Sequence, residues 1–511
     1  MSETTIDNLQ AAKDRNRKVP LRTKLVFASG ALQEATVTAG GIVTILFYNQ
    51  VLGVSPALAG TAFLIAMIVD AVSDPLVGAI SDRAQSRWGR RHPFIFASAL
   101  PIAIAFYLLY QPVAGLSETG YFIWLTTFLV ALRLAQTFYL IPHDALGAEL
   151  TDDYEERSSV FGYNAVVQML LSMLTAIVLY SIIFPSTPEY DNGLLNEPQY
   201  FILAAVGSVT IVFSVLICAW GTLDQLPYLH GVDISKKFNF RNYINQLIQL
   251  LKIRSYLSAC LSLLTIYASL GILNIVATYA YIYVYELSSE EMFWAAAAKI
   301  PGVLVAIPLL AYLSRSMEKK AILILSTLTM CIMISLPHNL RMLDWFPAND
   351  SPLILLAVFV PLLLGYMIFP VSSIIIDSQL VDVADEYELH TNERAEGVIF
   401  SVRSFGIKAT SGVGGFLAGF GLEFIGFPEN AEVGHLSQET LTGLLFMNGP
   451  LYLTICLIAV CFMTFYAIDK QKHATILTEL EKRRGPSNRL FSAEEHFVAT
   501  SLSGAEPRES G

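Results

Sequence analysis

The sequence predicts an all-α, polytopic membrane protein: twelve transmembrane helices in two six-helix halves. Three observations predict it. Hydrophobic residues make up 54% of the 511 residues and charged residues only 15%, against about 25% charged in an ordinary soluble domain. The apolar residues gather in runs long enough to cross a bilayer, and the mean hydropathy is +0.54. Lys and Arg gather in alternate connections between those runs.

A spanning helix needs about 20 mostly apolar residues. Runs of that kind cover 25–52, 57–80, 93–112, 120–143, 160–184, 200–222, 256–285, 292–314, 321–337, 352–378, 397–425 and 441–468. The first twenty residues are polar and lack the apolar core of a cleaved signal, so the first run reads as an uncleaved anchor. The longest connection separates the sixth run from the seventh. The expected organisation is a tail (1–21), a bundle (22–222), a linker (223–255), a second bundle (256–468) and a C-terminal tail (469–511).

Basic residues test that count. With both termini placed in the cytoplasm, the cytoplasmic segments collect most of the Lys and Arg, among them Lys236, Lys237, Arg241, Lys252 and Arg254 of the linker. Arg341 falls on the opposite side, while Arg133, Lys299 and Lys408 fall inside spans. The expected location is the plasma (inner) membrane. A formal net charge of −11 excludes nucleic-acid binding as the main business. The five cysteines lie in apolar runs without a CxxC pair, and the histidines lack metal-ligand spacing, so no zinc, redox or cofactor site is expected.

A weak internal repeat supports two halves. GAISDRAQSRWGRR (Gly78–Arg91) follows the second span, and AYLSRSMEKK (Ala311–Lys320) follows the eighth in the corresponding place. A 6+6 repeat suits the major facilitator architecture, whose halves rock about a site at mid-membrane.

Ionisable side chains at bilayer depth are costly and mark functional sites. Counting ~1.5 Å per residue from the expected cytoplasmic helix ends puts Asp74 at roughly 9 Å, Thr137 at about 8 Å and Glu34, Asp70, Arg133 and Lys408 at about 14–16 Å. The last four therefore reach one level in a core ~30 Å thick. Asp70 and Asp74 are four residues apart and share a helix face. Two such carboxylates suit a proton or a small hard cation, with Ser73 and Thr137 adding neutral oxygens. Arg133 and Lys408 are the counter-charges. Lys299 reads as a packing or snorkelling residue. His143 follows Pro142 at an expected helix end, and Asp144–Arg157 reads as a solvated loop. Gly412, Gly415 and Gly419 give the eleventh span a smooth face for close helix packing.

Three blocks resemble a known family. DAVSDPLVGAISDRAQSRWGRRHP (Asp70–Pro93), IPHDALGAELTDDYEERS (Ile141–Ser158) and DVADEYELHTNERAEG (Asp382–Gly397) are similar to the signatures of the glycoside–pentoside–hexuronide:cation symporters of the major facilitator superfamily, which include melibiose permease. The resemblance covers roughly residues 22–468. It implies that Asp70, Asp74 and Thr137 form a cation site for H+ or Na+, with Ser73 standing where melibiose permease has an asparagine. It implies that Lys408 couples that site to the substrate, with Arg133 the candidate to replace the charge of a family arginine missing near Met67, and that Asp82, Arg83, Arg90 and Arg91 belong to a gating loop. The galactoside-binding positions of the family are occupied differently: Ala35, Leu140 and Asn164 stand there. Gln33, Glu34, Tyr139, Tyr163 and Asn164 are the candidates for a polyol pocket of another shape.

The function implied is cation-coupled symport of a sugar or glycoside by a monomer in the lipid bilayer. A lysolipid or another amphiphilic anion on the same scaffold is the alternative cargo. An intramembrane aspartyl enzyme is the remote one, since a single helix supplies both carboxylates and no nucleophile motif accompanies them.

Overall fold

A computed structural model describes residues 18–84, 86–151, 153–229, 240–298, 300–391 and 396–484. The polypeptide is helical throughout its spans. The first half contains α1 (Leu21–Val51), α2 (Pro56–Arg83), α3 (His92–Leu109), α4 (Glu118–Glu149), α5 (Tyr154–Val178) and α6 (Glu197–Gly221). A linker helix, α7 (Phe240–Leu251), precedes the second half. That half contains α8 (Arg254–Tyr283), α9 (Ser289–Ala297), α10 (Ile300–Ser316), α11 (Lys319–Met342), α12 (Ile354–Thr391), α13 (Glu396–Phe424) and α14 (Gln438–Thr464). The helix α15 (Lys470–Arg484) follows. Among the described residues, ten helices are long and apolar enough to cross a membrane. The α9–α10 pair and α13 occupy the other two expected spans.

Side-chain caps mark helix starts at one end of the bundle. Ser55, Ser117, Ser288 and Ser437 each accept a bond from a first-turn backbone N–H, and Ser288 forms a full capping box with Glu291. The outer surface is apolar: Leu100, Ile104 and Phe213 stand exposed on α3 and α6. This is the surface a lipid environment requires. The helix pairing repeats. In the first half α1 packs on α5 and α6, α3 on α4 and α6, and α2 on α4; in the second, α8 packs on α13 and α14, α11 on α12 and α14, and α10 on α12.

The repeat extends to charge. Arg91 precedes α3 and holds Glu149 at the end of α4 at 2.8 Å. Lys319 opens α11 and holds Asp382 of α12 at 2.7 Å. Each pair ties its own half together at the same end of the molecule. Lys24 does likewise with Glu156, at 2.7 Å.

The opposite end is sealed between the halves. Asn49 and Gln50 lie in a π-turn that ends α1. Tyr279 donates to Asn49 (3.1 Å), Tyr283 donates to Gln50 (2.7 Å), and the Gln50 amide donates to the carbonyl of Pro428 (2.9 Å). Asn192 donates to the Leu287 carbonyl (2.9 Å), and the Gly193 amide to Ser289 (2.8 Å).

Several sequence expectations need correction. Pro142 does not end the fourth span: α4 continues to Glu149. His143 therefore lies inside a helix, buried and stacked on Phe27 with ring centroids 4.1 Å apart. Asp144–Arg157 is not a solvated loop, because Leu146 and Leu150 are buried and Gly147 abuts Phe27. Packing there outweighs the proline. The eighth span is broken between α9 and α10 at Ala298, and Lys299 lies outside the described residues. The C-terminal tail is partly folded: α15 docks on α12 through Lys472–Glu386 (2.5 Å) and His473–Asp385 (3.0 Å). Residues 1–17, 230–239, 392–395 and 485–511 of the expected tails and connections also lie outside the description.

The glycine face of α13 packs on α2, across the two halves. A Cβ on Gly419 would lie 2.2 Å from the Pro56 carbonyl oxygen, and one on Gly412 would lie 2.2 Å from Met67. Gly419→Val is expected to lower the thermal stability of the purified protein by about 1–3 kcal/mol through overpacking. Gly162→Ala, where a Cβ meets nothing within 4 Å inside a helix, is expected to leave it unchanged or raise it by up to about 1 kcal/mol. Thermal unfolding of both variants in detergent checks the contrast.

Candidate functional site

The site begins with two turns of α2. Asp70 and Asp74 lie four residues apart, and Pro75 follows. Proline has no N–H, so the Ala71 carbonyl loses its helical donor beside Asp70. The two carboxylates face α4. Thr137 places its hydroxyl 3.1 Å from an oxygen of Asp74 and 3.4 Å from one of Asp70. The same hydroxyl is 3.2 Å from the Arg133 carbonyl. It carries one proton, so it satisfies one acceptor at a time. Ser73 lies 3.4 Å from Thr137 and bonds back to the Asp70 carbonyl (3.3 Å). Asp70, Ser73 and Thr137 are buried. The result is a cluster of hard oxygen donors with little access to water.

Lys408 comes from the other half. It extends from α13 and makes an ion pair and hydrogen bond with the second oxygen of Asp74. Its side chain is 31% exposed and that of Asp74 is 20% exposed, so the pair is lodged in the interior but reachable from a cavity. This ion pair joins the first half to the second.

Among the described residues, two compartments are found between the halves. The first, about 330 Å3, is lined by Glu34, Asp70, Arg133, Gln136, Thr137 and Lys408 together with apolar side chains. Glu34 is steadied by Gln168, whose amide donates to it at 2.8 Å. The second, about 260 Å3, is lined by side chains of α1, α5, α8, α9, α11 and α12, and among the described residues its lining holds no Asp, Glu, Lys or Arg. Thr38, Ile42 and Asn274 border both.

The sequence reasoning and the geometry agree on some placements and part on others. Glu34, Asp70, Arg133 and Lys408 do border one compartment. Gln33, Tyr139, Tyr163 and Asn164 do not line either compartment. Gln33 faces α6, where its backbone N–H donates to Ser214 at 3.1 Å, and its side chain is fully buried. Tyr139 is buried against Gly30 and the ring of His143. Tyr163 is 40% exposed, with the Lys24 ammonium over its ring, and the Asn164 side-chain oxygen is buried without a hydrogen-bond partner. The loop candidates divide as well. Arg90 and Arg91 both reach Glu149, and Arg91 also binds Asp82 (2.5 Å) and Ser81 (2.7 Å), all within the first half. Arg83 is exposed at the end of α2.

One interior pair escaped the sequence reading. Arg403 of α13 forms an ion pair with Asp377 of α12. Arg403 stands seven residues inside α13 and within the expected span 397–425, which was the available signal.

Residues 26–470 match the family described as MFS/sugar transport protein. The chain is 24% identical to the isoprimeverose transporter of Lactiplantibacillus pentosus, over 87% of this chain and 88% of that one. It is equally 24% identical to the sodium-dependent lysophosphatidylcholine symporter 1-A of Danio rerio, over 92% and 90%. Among solved structures, a D-xylose-proton symporter superposes with a TM-score of 0.61 at 15% identity, over 88% of this chain and 98% of that one. That likeness concerns the fold.

The arginine network predicts a stability contrast. Arg91→Met takes one of two cations from Glu149, which keeps Arg90, and removes the bond to Ser81; it is expected to cost about 1.5–3 kcal/mol, the usual cost of losing charge-assisted hydrogen bonds. Asp82→Asn alters a side chain that is 61% exposed and is expected to cost less than about 1 kcal/mol. Thermal unfolding of the two variants reads the difference.

Proposed function

This chain belongs to the MFS/sugar transport protein family, and on that premise we propose that it is a secondary transporter coupling a sugar or glycoside to a proton or Na+ by alternating access. The observation that carries the reading is the Asp74–Lys408 pair, which joins the halves beside the oxygen cluster of Asp70, Ser73 and Thr137. In this account a cation enters among those oxygens and competes with Lys408 for Asp74. Carboxylate and hydroxyl oxygens are the donors a hard cation prefers, and a carboxylate pair equally takes up a proton. The link between the halves loosens, Lys408 turns its charge into the cavity, and the substrate binds there. Coupling requires only that each ligand prefer one arrangement of the halves.

The proposal has an orientation. Both termini lie in the cytoplasm and the sealed end faces outward across the plasma (inner) membrane, in keeping with the basic connections at the other end. The moving bodies are residues 22–222 and 256–468, joined by the linker 223–255, with the tails 1–21 and 469–511 outside them. A single chain walls both compartments, which supports a monomer as the working unit. A second cargo has specific support. The likeness to a lysophosphatidylcholine symporter covers as much of the chain as the likeness to a sugar transporter.

Uptake into proteoliposomes, under separate H+ and Na+ gradients and with a panel of glycosides and lysophospholipids, tests the reading. Accumulation of a glycoside driven by one gradient is the expected outcome; accumulation of lysophospholipids alone would favour the second cargo. Asp74→Asn is expected to reduce gradient-driven accumulation by at least about tenfold while sparing counterflow exchange. Wild-type accumulation by that variant would contradict the mechanism.

A further inference from the structure

We propose that His143 and Asp144 form a proton-binding site, separate from the Asp70 and Asp74 cluster, and that the proton held there latches α1 to α4 where α1 is interrupted. The inference stands on hydrogen-bond geometry and holds for any cargo or coupling ion.

His143 is 4% exposed and lies inside α4. Its Nε2 is 3.1 Å from the Phe27 carbonyl oxygen of α1, and its Nδ1 is 3.3 Å from a carboxylate oxygen of Asp144. A carbonyl can only accept, so Nε2 carries a hydrogen and donates. In a neutral imidazole Nδ1 would then be a bare acceptor facing a second acceptor. The arrangement is satisfied when the pair holds one more proton. Asp144 is 69% exposed, and Glu34 senses its charge together with those of Arg133 and Lys408, which places Asp144 toward the space between the halves. Its carboxylate keeps its hydration and its charge there, so the proton belongs to the ring. The imidazolium donates at both nitrogens. The Phe27 ring lies against it at 4.1 Å and the Tyr139 ring at 5.2 Å, aromatic faces that favour a cation. The other titratable groups turned toward the ring are Tyr139 of α4, Cys218 of α6 and Glu34 of α1. From α5 comes Phe161, edge-on to Phe27, while Glu156 of that helix is held by Lys24.

The latch falls on a weak point of α1. The helical ladder is interrupted at Gly30: the Gly30 N–H donates to the Phe27 carbonyl (3.2 Å), and the Gln33 N–H to the Gly30 carbonyl (3.3 Å). The Ser214 hydroxyl of α6 enters the gap, donating to the Ser29 carbonyl at 3.0 Å and accepting from the Gln33 N–H at 3.1 Å. A side chain inserted into the ladder in this way is a cause of helix bending. A Cβ on Gly30 would lie 1.9 Å from the Tyr139 hydroxyl and 3.1 Å from Nε2 of His143, so glycine is what lets α4 come this close. On one side of the interruption, Lys24 pins α1 to Glu156. On the other, Glu34 lines the first compartment, and Asn49 and Gln50 seal the far end. Gain or loss of the proton therefore acts at the joint between an anchored segment of α1 and a segment that serves the site.

Nitrogen NMR of the full-length protein with isotopically labelled histidine, in micelles at about pH 8, above the ordinary histidine range, tests the site. A doubly protonated ring is expected in the wild type and is expected to vanish in His143→Phe. It is also expected to vanish in Asp144→Asn, whose amide can turn and donate to a bare Nδ1. Asp144→Asn changes an exposed position and reads the same signal independently of how the His143 variant folds. Asp74→Asn is expected to leave the ring protonated. Hydrogen exchange of the backbone amides of residues 27–34 tests the latch. His143→Phe keeps an aromatic ring against Phe27 and is expected to speed that exchange at least about tenfold at the same pH, the loss of one charge-assisted hydrogen bond. A nitrogen spectrum unchanged in Asp144→Asn, or in a folded His143→Phe, would overturn the proton site. Loss of the signal in Asp74→Asn would overturn its separateness from the cation cluster. Wild-type exchange rates in His143→Phe would overturn the latch.

Discussion

The two halves of this protein are held together, deep in an apolar interior, by a carboxylate from α2 and an ammonium from α13. An ion pair in such surroundings is never neutral in its consequences. Each charge has given up water, and only the partner and a few hydrogen bonds repay that cost. Asp74 has Thr137 at one oxygen and Lys408 at the other. Any cation that enters the cluster must therefore displace or reposition one of them. The architecture around the pair follows from this demand. The glycines of α13 let α2 approach closely enough for Lys408 to reach across, and Thr137 of α4 closes the cluster from the side.

The ends of the molecule behave differently because their bonds run differently. At the sealed end, amides, tyrosine hydroxyls and backbone carbonyls join one half to the other. Apart from the Glu290 carboxylate, which accepts from Ser186, these are neutral bonds of modest net worth that exchange with water. At the opposite end, Arg91–Glu149 and Lys319–Asp382 brace each half within itself. Stiff halves joined by exchangeable bonds satisfy the physical requirement for rocking about a central site. The proposed cycle needs nothing more elaborate than changing which end those bonds close.

How much of this was legible in the sequence varied with the chemistry of each residue. Asp70, Asp74, Arg133 and Lys408 stood out because charge is scarce in apolar spans, and counting from helix ends placed them on one level. The helix count was similarly legible from apolar runs and basic connections. Gln33, Tyr139, Tyr163 and Asn164 line neither compartment, and for a single reason. Nearness in sequence to Glu34 or Thr137 does not tell which face of an apolar helix meets a cavity, and neutral polar residues pack against helices as readily as they line sites. Pro142 suggested a stop that the packing of Phe27, Leu146 and Gly147 overrode. Arg403 went unread because it lies near the expected cytoplasmic end of its span, where a basic residue is ordinary.

The central claim is that Lys408 and the coupling cation compete for Asp74. Competition makes a direct statement about affinity: neutralising the lysine must help the cation. The decisive measurement is the Na+ and proton affinity of Lys408→Gln against wild type, read from the ion-induced thermal shift in titrations of Na+ at fixed pH and of pH without Na+. The account predicts binding of one of these cations that is tighter by about tenfold in the variant. Unchanged or weaker affinity for both would contradict it.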